Sequence, residues 1–308
     1  MIQWTIVGVI FIFLGRMVWE NWSQVKDTSF AFRPLHLVLS TLLFVLSYLT
    51  QIWAWYLITI KLGIAISLRE TFENWFYSQL GKYLPGKVWL LLGRYYFYES
   101  KGKSRGKISI ALYLEVATVL LAAGLLSVIG TVSFNEANPF GSGTGIWWMF
   151  PLFLVGFLSL YPKFLQAILN WILILFRKEP VMLSISYRDI SWILLVCLLS
   201  WIIGGIGFWI FVDSVFAISS HHILFLTGAL AFSSILGLIA LFAPSGLGVR
   251  EGALVYLLSF VMPVPVAVII SILTRIWMTL IEIGLIGIVY LLSKIRKGLG
   301  ERDQYVKT

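Results

Sequence analysis

Gly81-Lys82-Tyr83-Leu84-Pro85-Gly86-Lys87-Val88-Trp89 is the stretch on which the reading of this chain turns. It sets a Pro-Gly break and two lysines between long apolar segments. Pro85 lacks a backbone N–H and Gly86 tolerates almost any dihedral, so a helix arriving at Leu84 is expected to stop and restart near Lys87. At membrane depth such a break survives only where protein buries it or a wet cavity borders it. Lysines there also need a reason, because a charge near the bilayer centre costs about 2.5–3.5 kcal/mol on insertion scales. Taken alone, the stretch fits equally well an interfacial loop whose lysines snorkel to headgroups.

A second stretch repeats the design in the other half of the chain. Ala243-Pro244-Ser245-Gly246-Leu247-Gly248-Val249-Arg250-Glu251-Gly252 ends one apolar helix, breaks it with Pro and Gly, places a basic residue and starts another. Gly/Pro-interrupted segments at corresponding places in two halves are the strongest sequence pointer to a transport site.

Composition sets the class. Hydrophobic residues make up 59% of the 308 and charged residues 12%, and the mean hydropathy is +0.92. Soluble domains run at roughly 45–50% apolar and 25% charged. Several windows of about 20 nearly uncharged residues are long enough to span a bilayer. The chain is therefore an all-α polytopic membrane protein, and its +9 formal charge reports topology rather than a nucleic-acid partner. Cys197 is the single cysteine, so no disulfide framework exists. His36, His221 and His222 have no ligand-spaced partners, so neither a metal nor a cofactor is expected.

Along the chain, residues 2–19 read as an uncleaved first span, with Arg16 and Glu20 one turn apart at its end. Residues 35–60 form the second. Between Lys61 and Lys107 lie nine of the 23 basic residues, interleaved with Trp75, Phe76, Tyr77, Tyr83, Trp89, Tyr95, Tyr96 and Tyr98, a pattern of the membrane–water interface. Residues 70–80 and 88–98 read as short helices that dip into the bilayer and return. Lys101, Lys103, Arg105 and Lys107 form a cytoplasmic loop by the positive-inside rule. Residues 108–132 cross, 133–144 face outward and 145–161 return. Residues 164–176 read as an interfacial helix. Crossings at 189–211 and 223–243 follow, then 244–262, and 264–292 is the last span. Lys294, Arg296 and Lys297 mark a cytoplasmic tail, 294–308. The expectation is one transmembrane domain of about eight spans, if 244–262 crosses, in pseudo-halves 1–161 and 162–308, each with a Gly/Pro-broken or re-entrant segment. A broken crossing at 81–98 would make it nine and move the N-terminus outside.

Few ionisable residues remain inside the spans, and these are functional candidates. Glu115 sits about two turns into 108–132. Arg275 is mid-way along the last span, with Glu282 two turns further on the same face. Glu115 follows Gly86 by 29 residues and Arg275 follows Gly246 by 29, which suits two related halves. A buried packing pair, Arg275 with Glu282 or Glu115, is the plain structural account. The functional account is a basic cavity: Lys82, Lys87, Arg94, Arg250 and Arg275 against Glu115, Glu251 and Glu282. Restarted half-helices add partial positive charge and free N–H groups, which favour phosphate. A lipid phosphate suits a cavity open to the bilayer, and Tyr83, Trp89 and Tyr95 can stack on a sugar, line an acyl chain or simply anchor at the interface.

The two broken stretches, Leu114-Glu115, and Arg275 with Thr279 together resemble the lysylphosphatidylglycerol synthase transmembrane-region family. That family includes the flippase-like N-terminal half of multiple-peptide-resistance-factor proteins, and the likeness runs over roughly residues 5–295. It implies translocation of an anionic or aminoacylated phospholipid, or of a polyprenyl-phosphate-linked sugar, in a bacterial or archaeal cytoplasmic membrane. With the sequence ending at Thr308, no soluble aminoacyl-transferase domain is expected on this chain.

Three functions are compatible with these residues. The first is a lipid flippase in which Lys82, Lys87, Arg250 and Arg275 hold phosphate and Glu115 is a counter-charge or proton-coupled group. No ATP-binding motif is evident, so movement would be downhill, ion-coupled or driven by product consumption. The second is an integral-membrane transferase using a lipid-phosphate donor, with Glu115 and Glu251 as its acid/base groups. The third is a non-catalytic partner of a separate lipid or glycan transferase in envelope assembly.

Overall fold

The computed structural model describes residues 12, 15, 16, 19, 30, 32–84, 88–134, 158, 160–175, 182, 185–240 and 243–305. Those residues form helices and connecting turns. α1 (Pro34–Lys61) begins with Pro at its first turn and ends on a basic residue, the arrangement that suits both helix ends. α2 (Leu68–Gln79) is started by a capping box between Ser67 and Glu70. A 3₁₀ turn, Leu80–Tyr83, follows. α3 (Val88–Ser100) leads back, then α4 (Arg105–Val132). α5 (Pro162–Leu175) precedes α6 (Tyr187–Val215), which has its own Ser186–Asp189 capping box. α7 (Ile223–Ile239) leads into a 3₁₀ turn, Pro244–Gly246, and α8 (Val249–Leu258); α9 (Val264–Tyr305) closes the chain.

Among the described residues, five stretches are long and apolar enough to cross a membrane: α1, α4, α6, Ser220–Ile239 and the Val264–Arg296 part of α9. The expected spans at 2–19 and 145–161 fall outside the described residues, apart from positions 12, 15, 16 and 19 in the one and 158, 160 and 161 in the other. Glu20, the expected partner of Arg16, lies outside them too. The 164–176 helix is present as α5, two residues earlier at its start. The expected crossing at 244–262 is corrected. α8 has 10 residues, about 15 Å of helix, half the roughly 30 Å hydrocarbon thickness.

α8 instead folds back. The Gly237 backbone on α7 lies against both Gly246 and the Arg250 side chain, and the Ser271 hydroxyl of α9 donates to the Glu251 carbonyl at 3.1 Å. α7 and α8 are thus the two arms of a hairpin, whose far end packs with Phe211, Val266 and Ile270. α2 and α3, earlier in the chain, form the first hairpin, of opposite direction to this second one. Lys101 pairs with Glu70 at its open end, Ser78 meets Gly93 and Arg94, and Gly81 lies on the Trp89–Leu90 backbone. The tips touch each other: the turn Leu80–Tyr83 packs on Pro244–Gly246.

The frame around the hairpins is tight helix pairing. α1 and α6 run antiparallel, tied at one end by Lys61–Asp189 at 2.8 Å and at the other by Arg33–Asp213 at 2.5 Å. Between them Ser40 donates to the Gly207 carbonyl at 2.8 Å, and Ser47 and Ser200 donate to each other's carbonyls at 2.9 and 3.0 Å. Gly130 of α4 and Gly228 of α7 meet in the same way. Small residues let backbones approach where lipid offers no hydrophobic drive to helix association.

Candidate functional site

Each hairpin tip gets its shape from residues that only a break would need. Ser245 has φ +51, Gly246 +71 and Gly248 +83, so three of four consecutive residues sit in the left-handed region that glycine tolerates best. A Cβ on Gly246 would lie 2.7 Å from Gly237, and one on Gly81 would lie 2.5 Å from the Leu90 nitrogen. Both tips are therefore closed backbone to backbone. Pro85, Gly86 and Lys87 lie outside the described residues, so the expectation for Lys87 is left there.

α9 runs past both tips and offers one charge to each. Arg275 Nη1 donates to the Ser245 carbonyl at 3.0 Å and lies 3.4 Å from Glu251 Oε1. Seven residues on, about 10 Å along the helix, buried Glu282 pairs with Lys82 and accepts from the Tyr83 hydroxyl at 3.5 Å. The packing pair expected from sequence is corrected: Arg275 pairs with Glu251, Glu282 with Lys82 and Glu115 with Arg94. Spacing on one face brought Arg275 and Glu282 to the same wall, but each turns to a different tip.

Glu251 does more than pair. Its Oε2 accepts from the Gly248 N–H at 2.6 Å, so the N-terminus of α8 is already occupied by a carboxylate of its own first turn. Among the described residues its Oε1 has the Arg275 contact but no aligned hydrogen bond, and Glu282 Oε1 has no hydrogen-bond partner. Two buried carboxylates thus carry spare acceptor capacity. Arg250 is the opposite case. Its Nη2 points at the Met278 sulfur at 3.2 Å, a weak acceptor, and it makes no ion pair among the described residues. Lys82, Arg250, Arg275 and Glu282 all interact electrostatically, and Tyr48 from α1 joins them. Sequence reasoning missed Tyr48, since a tyrosine in an apolar span carries no distinguishing signal.

Arg94 and Glu115 stand apart from this cluster. Arg94 is 1% exposed, its guanidinium lies 5.2 Å from the ring centroids of both Trp55 and Trp75, and its Nε donates to Ser78 at 2.8 Å. Glu115 takes the Arg94 ion pair and the Trp75 indole N–H at 3.3 Å. Both charges are consumed by the core around them. Trp89 is 52% exposed, contributing its backbone to the tip rather than a buried ring. Tyr95 packs edge-on against Tyr96 at 5.6 Å.

In sum the described tip residues set Lys82, Arg250 and Arg275 against Glu251 and Glu282, one positive charge in excess, beside orphaned carboxylate oxygens. Such an arrangement can hold an anion together with hydrogen-bond donors. No curated protein matches the chain. The family described as lysylphosphatidylglycerol synthase TM region matches residues 3–287. The chain is a multi-pass membrane protein and belongs to the lysylphosphatidylglycerol synthase transmembrane-region family.

Proposed function

We propose that the protein is a flippase or facilitator for an anionic, phosphate-bearing lipid, either a phospholipid or a polyprenyl-phosphate-linked sugar. The phosphate is held where the hairpin tips meet, and the hydrocarbon stays in the bilayer. One observation supports the reading above others: the two tips touch beside α9, and Arg250 lies there as a cation that makes no ion pair among the described residues and points at a thioether.

In this reading both hairpins are re-entrant, the first from the Lys61 end and the second from the Arg33 end. With the basic loop Lys101, Lys103, Arg105 and Lys107 taken as cytoplasmic by the positive-inside rule, the Lys61 end and the C-terminus are cytoplasmic too. The order long helix, hairpin, long helix then occurs twice with opposite orientation, as α1–α4 and α6–α9, the inverted repeat common in transporters. The phosphate competes with the Glu251 carboxylate for the α8 N-terminus and Arg275, and Arg250 supplies the charge that makes exchange favourable. A transporter is favoured over a transferase because Glu115, one of the two carboxylates an acid/base mechanism needs, is held by Arg94 and Trp75.

Translocation of a fluorescent anionic phospholipid in proteoliposomes tests this. Arg250→Ala should slow it at least tenfold, an effect of about 1.4 kcal/mol or more, with little change in folding, since no carboxylate is left unpaired. Equal rates for variant and wild type remove the tip as the site.

A further inference from the structure

A separate cleft opens at the Lys61 end of the protein, between the start of α2 and the last spanning turns of α9. It encloses about 440 Å3, within the roughly 300–1,000 Å3 of small-molecule sites. Leu68, Phe72, Val289 and Leu292 supply its apolar lining, and Arg69, Glu73 and Arg296 its charges. It is not the tip site: Val289 and Arg296 follow Glu282 by about 10 and 20 Å along α9.

The charges leave an anion deficit. Arg69 pairs with Glu73 through Nε alone, at 2.8 Å, so its terminal N–H groups are not committed to that pair. Arg296 makes no ion pair with any residue whose side chain is described. Two guanidinium groups therefore face one carboxylate, and a guanidinium fork matches phosphate oxygens better than a point charge does. The lining decides what carries the phosphate. Leu68 and Leu292 are exposed, continuous with exposed Ile288, Leu291 and Ile295 on α9. The uncharged run of α9 that follows Glu282 ends at Ser293, just before Lys294 and Arg296, which sets the arginines at headgroup level and the leucines at acyl-chain level. A soluble anion would use only half of this surface.

We infer that the cleft seats the headgroup of a resident anionic phospholipid, its phosphate between Arg69 and Arg296 and its acyl chains along Leu292 and the neighbouring face of α9. Basic pockets between membrane helices bind anionic headgroups by this combination. The resident lipid is a second molecule, not the one held at the tips. It bridges the first hairpin to the helix that carries Arg275 and Glu282. The Lys82–Glu282 pair joins them at the tip, whereas at the level of the cleft the polar link is long: Tyr77 and Ser293 hydroxyls at 3.5 Å. The lipid is thus a clamp on the geometry of the tip cluster.

The test uses the full chain, purified in detergent and then given phosphatidylserine, phosphatidylcholine or inorganic phosphate. Native mass spectrometry should show one phosphatidylserine retained more tightly than the rest, with a matching rise in thermal midpoint. Arg69→Gln with Arg296→Gln should weaken that retention about tenfold and abolish the midpoint rise, while Arg69→Lys with Arg296→Lys keeps part of both. Arg250→Ala, which alters the tips, should leave that tight retention in place. Unchanged retention in the double glutamine variant overturns the inference. So does an equal midpoint rise from phosphatidylcholine or from inorganic phosphate. Loss of the lipid in Arg250→Ala assigns it to the tips instead, which sinks the cleft and leaves the proposed function standing.

Discussion

In the first hairpin the returning arm carries Arg94 and meets Glu115 on the helix that follows; in the second it carries Glu251 and meets Arg275 on the helix that follows. The two ion pairs occupy corresponding places with their charges exchanged. Their surroundings differ. Arg94 and Glu115 are 1% and 8% exposed at the side chain, wedged between Trp55 and Trp75. Arg275 is 13% exposed and shares Glu251 with a backbone N–H and itself with a backbone carbonyl. The first pair is closed by its neighbours; the second lies against the tip and is loosely matched at 3.4 Å. The contrast teaches that a charge inside a span is not by itself a site. What separates packing from binding is whether the partners exhaust each group's hydrogen-bonding capacity.

The sharpest way to break the comparison is to remove one member of each pair. Arg94→Ala leaves Glu115 buried and uncompensated and should cost about 3–5 kcal/mol of stability. Arg94→Met with Glu115→Leu should recover most of that loss, because matched apolar replacement of a buried pair is often neutral. Arg275→Ala should cost visibly less, since Glu251 keeps the Gly248 N–H. Thermal unfolding of the four purified proteins reads all of this. If Arg94→Ala is no more damaging than Arg275→Ala, the division into a packing pair and a tip pair is lost.

Much of this arrangement was legible in the residues, and the failures have physical causes. Pro244-Ser245-Gly246 announces a break because few other residues accept its left-handed backbone; Pro85-Gly86 lies outside the described residues. The second hairpin was misread as a crossing, since Ser259-Phe260-Val261-Met262 is apolar enough to disguise a turn. Pro263 was the available signal, as it disfavours helix at the residue before it. The ion-pair partners could not be read, because pairing depends on which arm folds back on which helix. The α1–α6 contact was readable in part: Ser40 and Ser47, and Ser200 and Gly207, repeat at seven-residue spacing, a small-residue seam. Arg250 was singled out for its charge, but that it would face Met278 is a property of the packed structure.

A smaller effect separates the tips themselves. An alanine at Gly81 brings its Cβ within 2.5 Å of the Leu90 nitrogen, whereas one at Gly246 meets Gly237 at 2.7 Å and must also hold φ +71. Both should destabilise by about 1–3 kcal/mol, Gly246→Ala more, because a left-handed backbone adds about 1–2 kcal/mol of its own. Chemical denaturation midpoints in detergent order the two, and a reversed order means the first tip is the more constrained.

The open ends of the hairpins give the finest comparison. At the first, Glu70 accepts from Lys101 at 2.5 Å and from Ser67 at 2.8 Å. The Lys101 hydrogen bond, followed by that of Ser67, pulls its carboxyl down to about 2 from an ordinary 4.5. The folded value lies below the unfolded one, so between them the unfolded chain binds more protons and stability rises with pH. Glu70's contribution is complete above pH 4.5 and lost as pH falls towards 2. The group is partly exposed, so the amount is that of a surface pair, about 0.2–1 kcal/mol. Glu70→Gln should therefore lower the unfolding midpoint slightly at neutral pH and leave it equal to wild type near pH 2. At the second hairpin's open end, where α7 starts at Ile223 and α8 stops at Leu258, no ion pair among the described residues joins the two arms. A residual pH dependence of the Glu70→Gln protein equal to that of wild type would mean the Lys101 contact holds nothing.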